Sequence, residues 1–450
     1  MRINDTIVAL ATAPLAAGVA IVRVSGPQAW VVGQKISPKV ADLEANRAVY
    51  TPFFAQAEHI DTGVLLPFKA PRSFTGEDVV EFQCHGGQAV LEALMGAILQ
   101  IPGVRQAEAG EFSRRAVLHG KMDLTAAEGL ADLVAAETEE QRRQALHQMR
   151  GELGARFDDW RQQIMALRAQ VEAGVDFPDE ELDVLSDTGI QHGLQKVYAN
   201  IDQALAAHVG ERVRSGLRVA VVGRPNAGKS TLTNLLTGRD TAIVSPLAGT
   251  TRDVVEAVMN IGGFPVTLAD TAGLRETGDA IEAEGVRRAH LRATEADVLV
   301  ALISAADWPE IDPGIQPLLV PGKALIVITH IDEHPCTIPP EWHGVPVLGQ
   351  NLTAPEAAPA ITEALSALIA ERFGQARQAA QITRARHRQA LQDARQHLDA
   401  ALACMATRSG GAELLSEDLR QAAEAIGRVT GGVGTEDVLD LVFSTFCIGK

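Results

Sequence analysis

The sequence predicts a multidomain α/β protein in which a doubly wound parallel sheet is inserted into an α-helical domain. The chain has 450 residues, of which 46% are hydrophobic, so it can bury more than one core. Segments of strand type alternate with segments of helix type between residues 216 and 370, a pattern typical of parallel sheets covered by helices. On both sides of that region, apolar residues recur three and four positions apart, which indicates amphipathic helices.

Residues 1–120 are predicted to form an N-terminal α+β domain. Segments such as VAIVRVSG and GEDVVEFQC have the composition of strands, and GGQAVLEALMGAILQ supplies one helical stretch. The uncharged stretch from Thr6 to Val22 has the length of a signal-peptide core, but Pro14 and Gly18 interrupt it and it continues into a strand pattern. We therefore expect this stretch to belong to the folded domain.

The α-helical domain is predicted to be discontinuous, with residues 121–212 and 371–450 on either side of an inserted α/β domain at residues 213–370. The strands of the insertion follow in chain order as LRVAVVG, PVTLAD, DVLVALIS, KALIVITHID and VPVLG. Because strands alternate with helices there, we expect right-handed crossovers and a mainly parallel sheet.

Composition and charge restrict the class of protein. The formal net charge is -17, from 57 acidic and 40 basic side chains, which disfavours a broad phosphate-binding face, so an RNA contact would be local or shared with a partner. The four cysteines form no CxxC pair, which fits a reducing cytosol without disulfides or a zinc site. No run reaches the ~18 apolar residues of a membrane span. We expect a cytoplasmic protein.

A glycine-rich loop follows the first strand of the inserted domain. Residues 223–230, GRPNAGKS, match GxxxxGK[ST], with the strand LRVAVVG before them and the helical TLTNLLTG after them. Backbone N–H groups of such a loop face phosphates, Lys229 reaches the β and γ oxygens as a catalytic cation, and Ser230 offers its hydroxyl to Mg²⁺. The predicted nucleotide contacts in the loop are Asn226, Ala227, Gly228, Lys229, Ser230 and Thr231.

Two further motifs identify the kind of nucleotide-binding domain. GTTRD, residues 249–253, offers Thr251 as a ligand that senses Mg²⁺ and the γ-phosphate. DTAG, residues 270–273, follows the strand PVTLAD, so Asp270 lies behind the metal and Gly273 can present its N–H to the γ-phosphate. In this order and spacing the motifs predict a translation-factor-class GTPase with a Ras-like doubly wound P-loop domain. Thr271 and Ala272 are further predicted nucleotide contacts.

These motifs resemble those of the tRNA-modification GTPase family (MnmE/TrmE). The resemblance covers nearly the whole chain, through DTAGLRE, TAIVSPLAGTTRD, IVRVSG, FTGEDVVEFQCHGG, AGEFSRRAVLHGKMDLTAAEGLADL, VEAGVDFPDEE, TRARHRQAL and FCIGK. It implies a homodimeric GTPase that works with an FAD-dependent partner of the MnmG type, in a heterotetramer or larger complex, with tRNA held largely by the partner. The implied reaction adds an aminomethyl or carboxymethylaminomethyl group to C5 of wobble uridine 34, using a folate one-carbon unit and glycine or ammonium.

The resemblance also implies how the transition state is stabilised. Leu274 directly follows DTAG, where Ras-like proteins place a water-orienting glutamine. The resemblance implies instead a K⁺ ion where an arginine finger would lie, because a cation bridging the phosphates supplies the same electrostatic stabilisation. The residues alone leave open that Asn226 only hydrogen-bonds its own loop. The implied K⁺ ligands are Asn226, Ser245, Leu247 and Thr250.

A catalytic water must also be oriented. The loop LRETGDAIEAEGV contains Glu276, Glu282 and Glu284, and the residues alone do not choose among them, since an acidic loop is ordinarily just solvated. The resemblance implies Glu282, acting through a bridging water.

The base-reading motif departs from the NKxD pattern. After the strand KALIVI this chain has Thr329, His330, Ile331 and Asp332. Asp332 remains to accept the guanine N1 and N2 protons, but the asparagine that braces the loops and bonds N7 is missing, as is the lysine stem that covers the ring. The second reader, usually Ser-Ala, is absent from VPVLGQNLTAPEA. We expect weaker nucleotide binding than in relatives.

From the residues alone, no motif in the N-terminal domain indicates a catalytic or binding site. Surface charge or satisfied pairs explain its polar side chains, including His85. The resemblance implies that this domain dimerises and binds a reduced folate, 5-formyl- or methylene-tetrahydrofolate. The implied folate contacts are Arg23, Glu81, Lys121 and the terminal Lys450.

Two sequence features stay open between a structural and a functional role. The tail FSTFCIGK is apolar before Lys450, so it fits a docked segment, while Cys447 in it is a candidate nucleophile without an assignable base. A basic cluster, Arg384, Arg386, His387 and Arg388, is predicted to be a solvated face or a set of salt bridges rather than an RNA contact.

Two other functions remain alternatives at this point. One is a ribosome-assembly GTPase switch that binds RNA, which would need a basic appendage beside the GTPase domain. The other is a folate and partner scaffold with a weakened GTPase, suggested by the missing base readers.

Overall fold

In the computed structural model of the chain, the residues described are 5–40, 42–176, 184–238, 242–243, 258–269, 293–374, 381–408, 411–432, 439, 442–443, 446 and 449. Contacts divide the chain into two units. The first unit comprises Met1–Ala131, Gln148–Tyr198 and Asp393–Lys450, and the second comprises Asp132–His147 and Ala199–Gln392. The predicted multidomain α/β class is confirmed, whereas the division at residues 120, 212 and 370 stays a prediction.

A six-stranded sheet forms the N-terminal part of the first unit. Its strands lie in the order β3-β4-β5-β2-β1-β6, and only the β1–β6 pair is parallel. Helices cover one face, where alternate side chains of β2 and β5 are buried with apolar residues of the helix α2, Gln88–Leu99. The strands are β1 Thr6–Leu10, β2 Ala20–Ser25, β3 Val49–Ala55, β4 Glu58–Phe68, β5 Val79–Cys84 and β6 Val104–Gln106.

Residues 1–120 contain more helix than the sequence predicted. Besides α2, Gln88–Leu99, the structure has α1, Ala29–Ile36, and α3, Glu111–Leu118. Both additional helices have eight residues, which is too short for the apolar spacing to repeat convincingly. Tertiary burial therefore decides their structure.

The helical segments confirm the amphipathic pattern of the sequence. Within the first unit, α6 packs along α12, with Arg168 of α6 donating to Ser416 of α12 at 3.3 Å. The remaining helices are α4 Leu124–Ala135, α5 Glu139–Met149, α6 Glu152–Asp176, α7 Thr188–Ala206, α8 Val209–Ser215, α9 Lys229–Thr237, α10 Ala357–Phe373, α11 Ala385–Thr407 and α12 Gly411–Thr430. None of the helices in the described part of the chain is both long and apolar enough to cross a lipid bilayer.

The second unit contains a doubly wound sheet in the order β13-β14-β12-β11-β7-β10-β9-β8. Strands β14, β12, β11, β7 and β10 are parallel, and apolar clusters lie on both faces. The chain leaves β7 towards β10 on one side and later returns to β11 on the other. Ligands of such sheets bind where the winding reverses, at the carboxyl end of the strand. The strands are β7 Leu217–Gly223, β8 Ala242–Ile243, β9 Val258–Ile261, β10 Phe264–Ala269, β11 Val298–Ser304, β12 Ala324–Thr329, β13 Glu341–Trp342 and β14 Val345–Gly349.

A buried network of charges ties α3 to the strands of the N-terminal sheet. The side chain of Arg115 is 1% exposed and donates to carboxylates of Asp5, Glu77 and Glu111 at 2.8, 3.0 and 2.9 Å. Arg105 donates to Asp5 and to Glu111, each at 2.6 Å. Two guanidinium groups thus satisfy three carboxylates, as buried charge requires.

This network predicts acid-sensitive folding. Burial opposes ionisation, but hydrogen bonds from Arg105 and Arg115 hold the pKa of Asp5 below its ordinary value, and the same arginines lower the pKa of Glu111. A lowered carboxyl pKa contributes stability that is complete above the ordinary value of about 4 and is lost as pH falls through the folded value. We expect the denaturant midpoint to be flat from neutral pH to about pH 5 and to fall below about pH 4.

The matched control is the double variant Asp5→Asn, Glu111→Gln, followed by circular dichroism over the same pH range. Its midpoint should change less with acidification than that of the wild type. Parallel pH profiles would contradict the assignment.

Candidate nucleotide-binding site

The predicted phosphate loop lies at the carboxyl end of β7, where the winding reverses. Gly228 caps α9 with φ 96°, and Asn226 has φ 62°. Both values fall in the left-handed region, which glycine adopts freely and asparagine tolerates better than most residues. A Cβ at Gly228 would also approach Leu352 Cδ1 to 2.8 Å. The loop sequence is therefore dictated by backbone shape as well as by ligand chemistry.

Lys229 is the first residue of α9, and its ammonium is held by the loop itself. Its Nζ donates to the carbonyls of Gly223 and Arg224, each at 2.8 Å. The two bonds place a fixed positive charge beside the N-terminus of α9, which is itself the positive end of the helix dipole. An anion entering this loop meets both charges.

The next two residues, Ser230 and Thr231, are exposed on the first turn of α9. A hydroxyl oxygen is a suitable ligand for Mg²⁺, which prefers hard oxygen donors. Ser230 is therefore compatible with the predicted metal role.

An ion-pair cluster fixes the outer side of the phosphate loop. Arg224 lies 3.2 Å from Asp307 and 3.6 Å from Asp312, both in the connection after β11. In the same connection, Trp308 Nε1 donates to the carbonyl of Thr337 at 3.2 Å. The phosphate loop is thus linked, through the β11–β12 connection, to the loop after β12, residues 330–340, which begins with the predicted base-reading residues.

The base-reading motif lacks its asparagine, but the structure provides another brace for the phosphate loop. Thr329, at the end of β12, is 1% exposed and its Oγ1 donates to the carbonyl of Ala227 at 3.0 Å. A hydroxyl therefore takes the bracing role that the sequence argument reserved for asparagine. His330 follows with φ 56°, and Asp332 is exposed, so Asp332 can still meet a base.

The segment after β14 forms a local turn and contains no Ser-Ala pair. β14 itself ends at Gly349, where a Cβ would meet the Cδ1 end of the Ile338 side chain. Beyond it, Asn351 Oδ1 accepts from Thr353 N–H at 2.9 Å and from its hydroxyl at 2.7 Å. The side chains at this point serve the local turn.

The remaining predicted residues of the nucleotide site lie outside the described residues. They are Ser245, Leu247, Thr250, Thr251, Asp270, Thr271, Ala272, Gly273 and Glu282.

Two of the predicted folate residues are brought together on the N-terminal sheet. Arg23 and Glu81 are directly opposite on β2 and β5, with Nε donating to Oε1 at 2.8 Å. The guanidinium also lies 5.3 Å from the ring centroid of Phe74 and 5.8 Å from that of Phe112. No other hydrogen bond joins either charged group to the part of the chain described above, so both retain donors or acceptors for a ligand.

The other predicted folate residues are placed less directly. Lys121 is exposed and donates to the carbonyl of Pro71 at 2.9 Å. Lys450 and Cys447 lie outside the described residues, but Gly449 lies so close to the end of β1 that a Cβ on it would overlap the carbonyl of Leu10. Ala9, the residue before Leu10, pairs with Arg23. Phe443 and Phe446, the first and fourth residues of the tail, are buried against Leu124 and Ala127 of α4, which agrees with a docked segment.

Sequence reasoning missed the partner of His85. Its Nδ1 lies 2.8 Å from Asp61 Oδ1, and its backbone N–H donates to Asp61 Oδ2 at 2.8 Å. Burial opposes the effect, but these bonds lower the pKa of Asp61. No periodicity links positions 24 residues apart, so only the strand pairing reveals the contact.

The predicted salt-bridge set is confirmed for two arginines of the basic cluster. Arg384 donates to Asp132 at 2.8 Å. Arg388 pairs with Glu211 at 2.8 Å and donates to the carbonyls of Leu205 and Ala207 at 2.6 and 3.0 Å. These side chains hold helices together.

Comparison with known proteins identifies the family. Residues 6–121 match the model of the GTP-binding protein TrmE N-terminus, and residues 124–447 match the MnmE helical domain. The tRNA modification GTPase MnmE of Parvibaculum lavamentivorans is 46% identical, over 99% of this chain and 100% of its own. Those of Rhodospirillum rubrum and Caulobacter vibrioides are 45% and 44% identical, over 99% of this chain and 99% and 100% of theirs.

Among solved structures, Era in complex with MgGDPNP and a 16S ribosomal RNA segment is similar over 34% of this chain and 55% of its own, at 31% identity and a TM-score of 0.25. With so low a score, the fold is established by the strand order and not by this likeness. The two matching family models and the full-length identities lead to one conclusion: the chain belongs to the MnmE family of tRNA modification GTPases.

Proposed function

We propose that the chain hydrolyses GTP in a potassium-activated reaction that serves modification of the wobble uridine of tRNA. The observation that carries the GTPase part is the phosphate loop, in which Lys229 is held by two carbonyls beside the N-terminus of α9. Such a site provides positioning and charge, which are what phosphoryl transfer requires of a protein. Family membership argues against the ribosome-assembly switch.

The chain would hold its metals through oxygen ligands. Ser230, with Thr251, would bind Mg²⁺, which neutralises charge on the β- and γ-phosphates. Asn226, with Ser245, Leu247 and Thr250, would bind K⁺. The left-handed backbone of Asn226 fits a residue selected for its side-chain oxygen, because glycine would adopt that conformation at lower cost. Glu282 would orient the attacking water.

Replacement of Na⁺ by K⁺ should raise the rate of GTP hydrolysis by about 100-fold or more, the effect of one preorganised transition-state contact. Asn226→Asp keeps an oxygen ligand and tolerates φ 62°, so it should keep part of this activation. Asn226→Ala and Asn226→Gly should both lose it. Phosphate release in the two salts at equal ionic strength measures the effect.

Asn226→Gly is the matched control, because glycine adopts the left-handed backbone without strain. If it keeps full K⁺ activation, the side chain is not a ligand and the potassium proposal fails. Mass spectrometry of tRNA nucleosides from cells with Asn226→Gly as the sole copy tests the link to modification; unchanged wobble uridines would contradict it.

The modification itself would be shared with an FAD-dependent partner of the MnmG type. The proposed product carries an aminomethyl or carboxymethylaminomethyl group at C5 of uridine 34. A net charge of -17 supports tRNA binding mainly by the partner in a cytoplasmic complex, because repulsion opposes a large RNA footprint on this chain. Co-purification with such a flavoprotein tests this assignment, and failure to associate would refute it.

We further propose that the N-terminal sheet binds a reduced folate within a homodimer. Arg23 and Glu81, whose side chains are 21% and 13% exposed, lie on the sheet face opposite α2. Phe74 and Phe112 lie beside the guanidinium there, and the half-buried side chains of the same face include Ile21, Val64 and Leu66. Glu81 can bond an aminopyrimidine edge, and Arg23 offers guanidinium donors to ring oxygens. Lys121 and Lys450 would complete the site, the latter because Gly449 lies at the end of β1.

Three measurements test these assignments. Sedimentation equilibrium at the monomer mass would rule out the dimer. Equal affinity of wild type and Arg23→Ala for 5-formyl-tetrahydrofolate would rule out the folate site. Cys447, proposed as a nucleophile, would be excluded if Cys447→Ser modified tRNA normally.

A further inference from the structure

Thr329 lies at a buried position, where a polar side chain needs hydrogen-bond partners. The residue is 1% exposed, at the carboxyl end of a strand whose six residues are all buried. Its hydroxyl oxygen lies 3.0 Å from the Ala227 carbonyl, 3.1 Å from His330 Nδ1 and 3.5 Å from the Ile303 carbonyl. Ala227 belongs to the phosphate loop, and Ile303 to β11.

The number of protons on Thr329 limits these contacts. A threonine hydroxyl has one proton, and the nearer acceptor is the Ala227 carbonyl. With the proton on Ala227, the oxygen meets His330 Nδ1 as an acceptor, which fits the imidazole tautomer protonated at Nδ1. If the proton pointed to His330 instead, the hydroxyl would equally have none left for a ligand.

We infer that Thr329 is a positioning residue which holds the phosphate loop, and that it leaves N7 of the base unread. This inference rests on the proposed GTPase function. The hydroxyl donates its only proton to the Ala227 carbonyl, so it has no proton to donate to N7 of guanine. An asparagine amide has two protons and could donate to the loop and to N7 together. Base selectivity then falls to Asp332, which is exposed beyond the same strand.

The first test compares GDP with 7-deaza-GDP, in which a C–H group replaces N7. Wild type should bind both with equal affinity within about threefold, because no hydrogen bond is lost. Thr329→Asn should acquire a preference for GDP of about threefold to tenfold, the value of one neutral hydrogen bond. Isothermal titration calorimetry in the presence of Mg²⁺ measures the affinity of both proteins for both nucleotides.

The second test isolates the brace. Thr329→Val keeps the shape of the side chain but leaves the Ala227 carbonyl without its hydroxyl partner, so GDP should bind about 5- to 150-fold more weakly. Thr329→Ser keeps the hydroxyl and should bind GDP nearly as well as wild type. The loss in Thr329→Val should be equal for GDP and XDP, because the phosphate loop is common to both.

Asp332→Asn provides the contrast. An asparagine amide can donate to O2 of xanthine, where the carboxylate accepted from the guanine amino group, so this variant should lose GDP affinity and gain XDP affinity. If Thr329 only stabilised the fold, Thr329→Val would lower the melting temperature. Thr329→Ser would then not restore GDP affinity, and the loss of affinity in Thr329→Val would not be equal for GDP and XDP.

The outcomes are distinct. A preference of wild type for GDP over 7-deaza-GDP of about tenfold or more would show that N7 is read and overturn the inference, as would Thr329→Val binding GDP like wild type. Should Thr329→Val fail to fold, the 7-deaza comparison on wild type still decides. If wild type binds neither GDP nor GTP, the proposed function itself fails.

Discussion

Replacement of Lys229 by alanine should lower GTP turnover by about 100- to 1000-fold, the effect of removing one preorganised transition-state donor. The ammonium is oriented before any ligand arrives, because the carbonyls of Gly223 and Arg224 hold it at 2.8 Å each. Little reorganisation is needed when charge develops on the γ-phosphate, so the contact is worth more than a mobile surface lysine would be. Single-turnover hydrolysis at saturating GTP measures the chemical step.

Lys196→Ala is the matched control, since it removes the same charge from an exposed position on α7. It should hydrolyse GTP at the wild-type rate. Lys229→Arg tests geometry: arginine keeps the charge, but its planar fork does not reproduce the compact ammonium between two carbonyls, so activity should remain low. Wild-type turnover in Lys229→Ala would refute the assignment of this loop as the catalytic phosphate site.

The phosphate loop could be predicted because its determinants are local. Strand, glycine-rich loop and helix are adjacent in the chain, and the left-handed values at Asn226 and Gly228 are those that such residues accommodate. The doubly wound sheet followed from the alternation of buried strands with helices. In both cases one short window of sequence contains the physical cause.

The brace at Thr329 could not be predicted, because its partner Ala227 is 102 residues away. A motif comparison records that asparagine is absent, but only the packing of β12 against the phosphate loop shows that a hydroxyl fills its role. The pairing of Arg23 with Glu81, 58 residues apart, is of the same kind. The topology of the fold decides which polar side chains far apart in the chain meet, and hydrophobic periodicity predicts only local secondary structure.

The largest loss of stability is expected for Arg115→Ala. This side chain is 1% exposed and contacts carboxylates of Asp5, Glu77 and Glu111 within 3.0 Å. Its removal leaves Asp5 and Glu111 sharing the guanidinium of Arg105. Glu77 keeps a hydrogen bond from the Ser25 hydroxyl but has no other ion pair among the described residues. Breaking a buried ion pair in this way costs about 3–5 kcal/mol, a large part of the ~5–15 kcal/mol that stabilises a typical domain. Denaturant unfolding followed by circular dichroism should show this loss as a lower free energy of unfolding.

The control is Arg47→Ala, which removes an arginine from a pair with Glu44 whose side chains are 66% and 63% exposed. Solvent screens that pair, so the unfolding midpoint should hardly move. Arg115→Lys should fall between wild type and alanine, because an ammonium keeps the charge but cannot donate to three carboxylates in a planar fork. If Arg115→Ala is no less stable than Arg47→Ala, solvent must reach the three carboxylates, and the network does not hold α3 to the sheet.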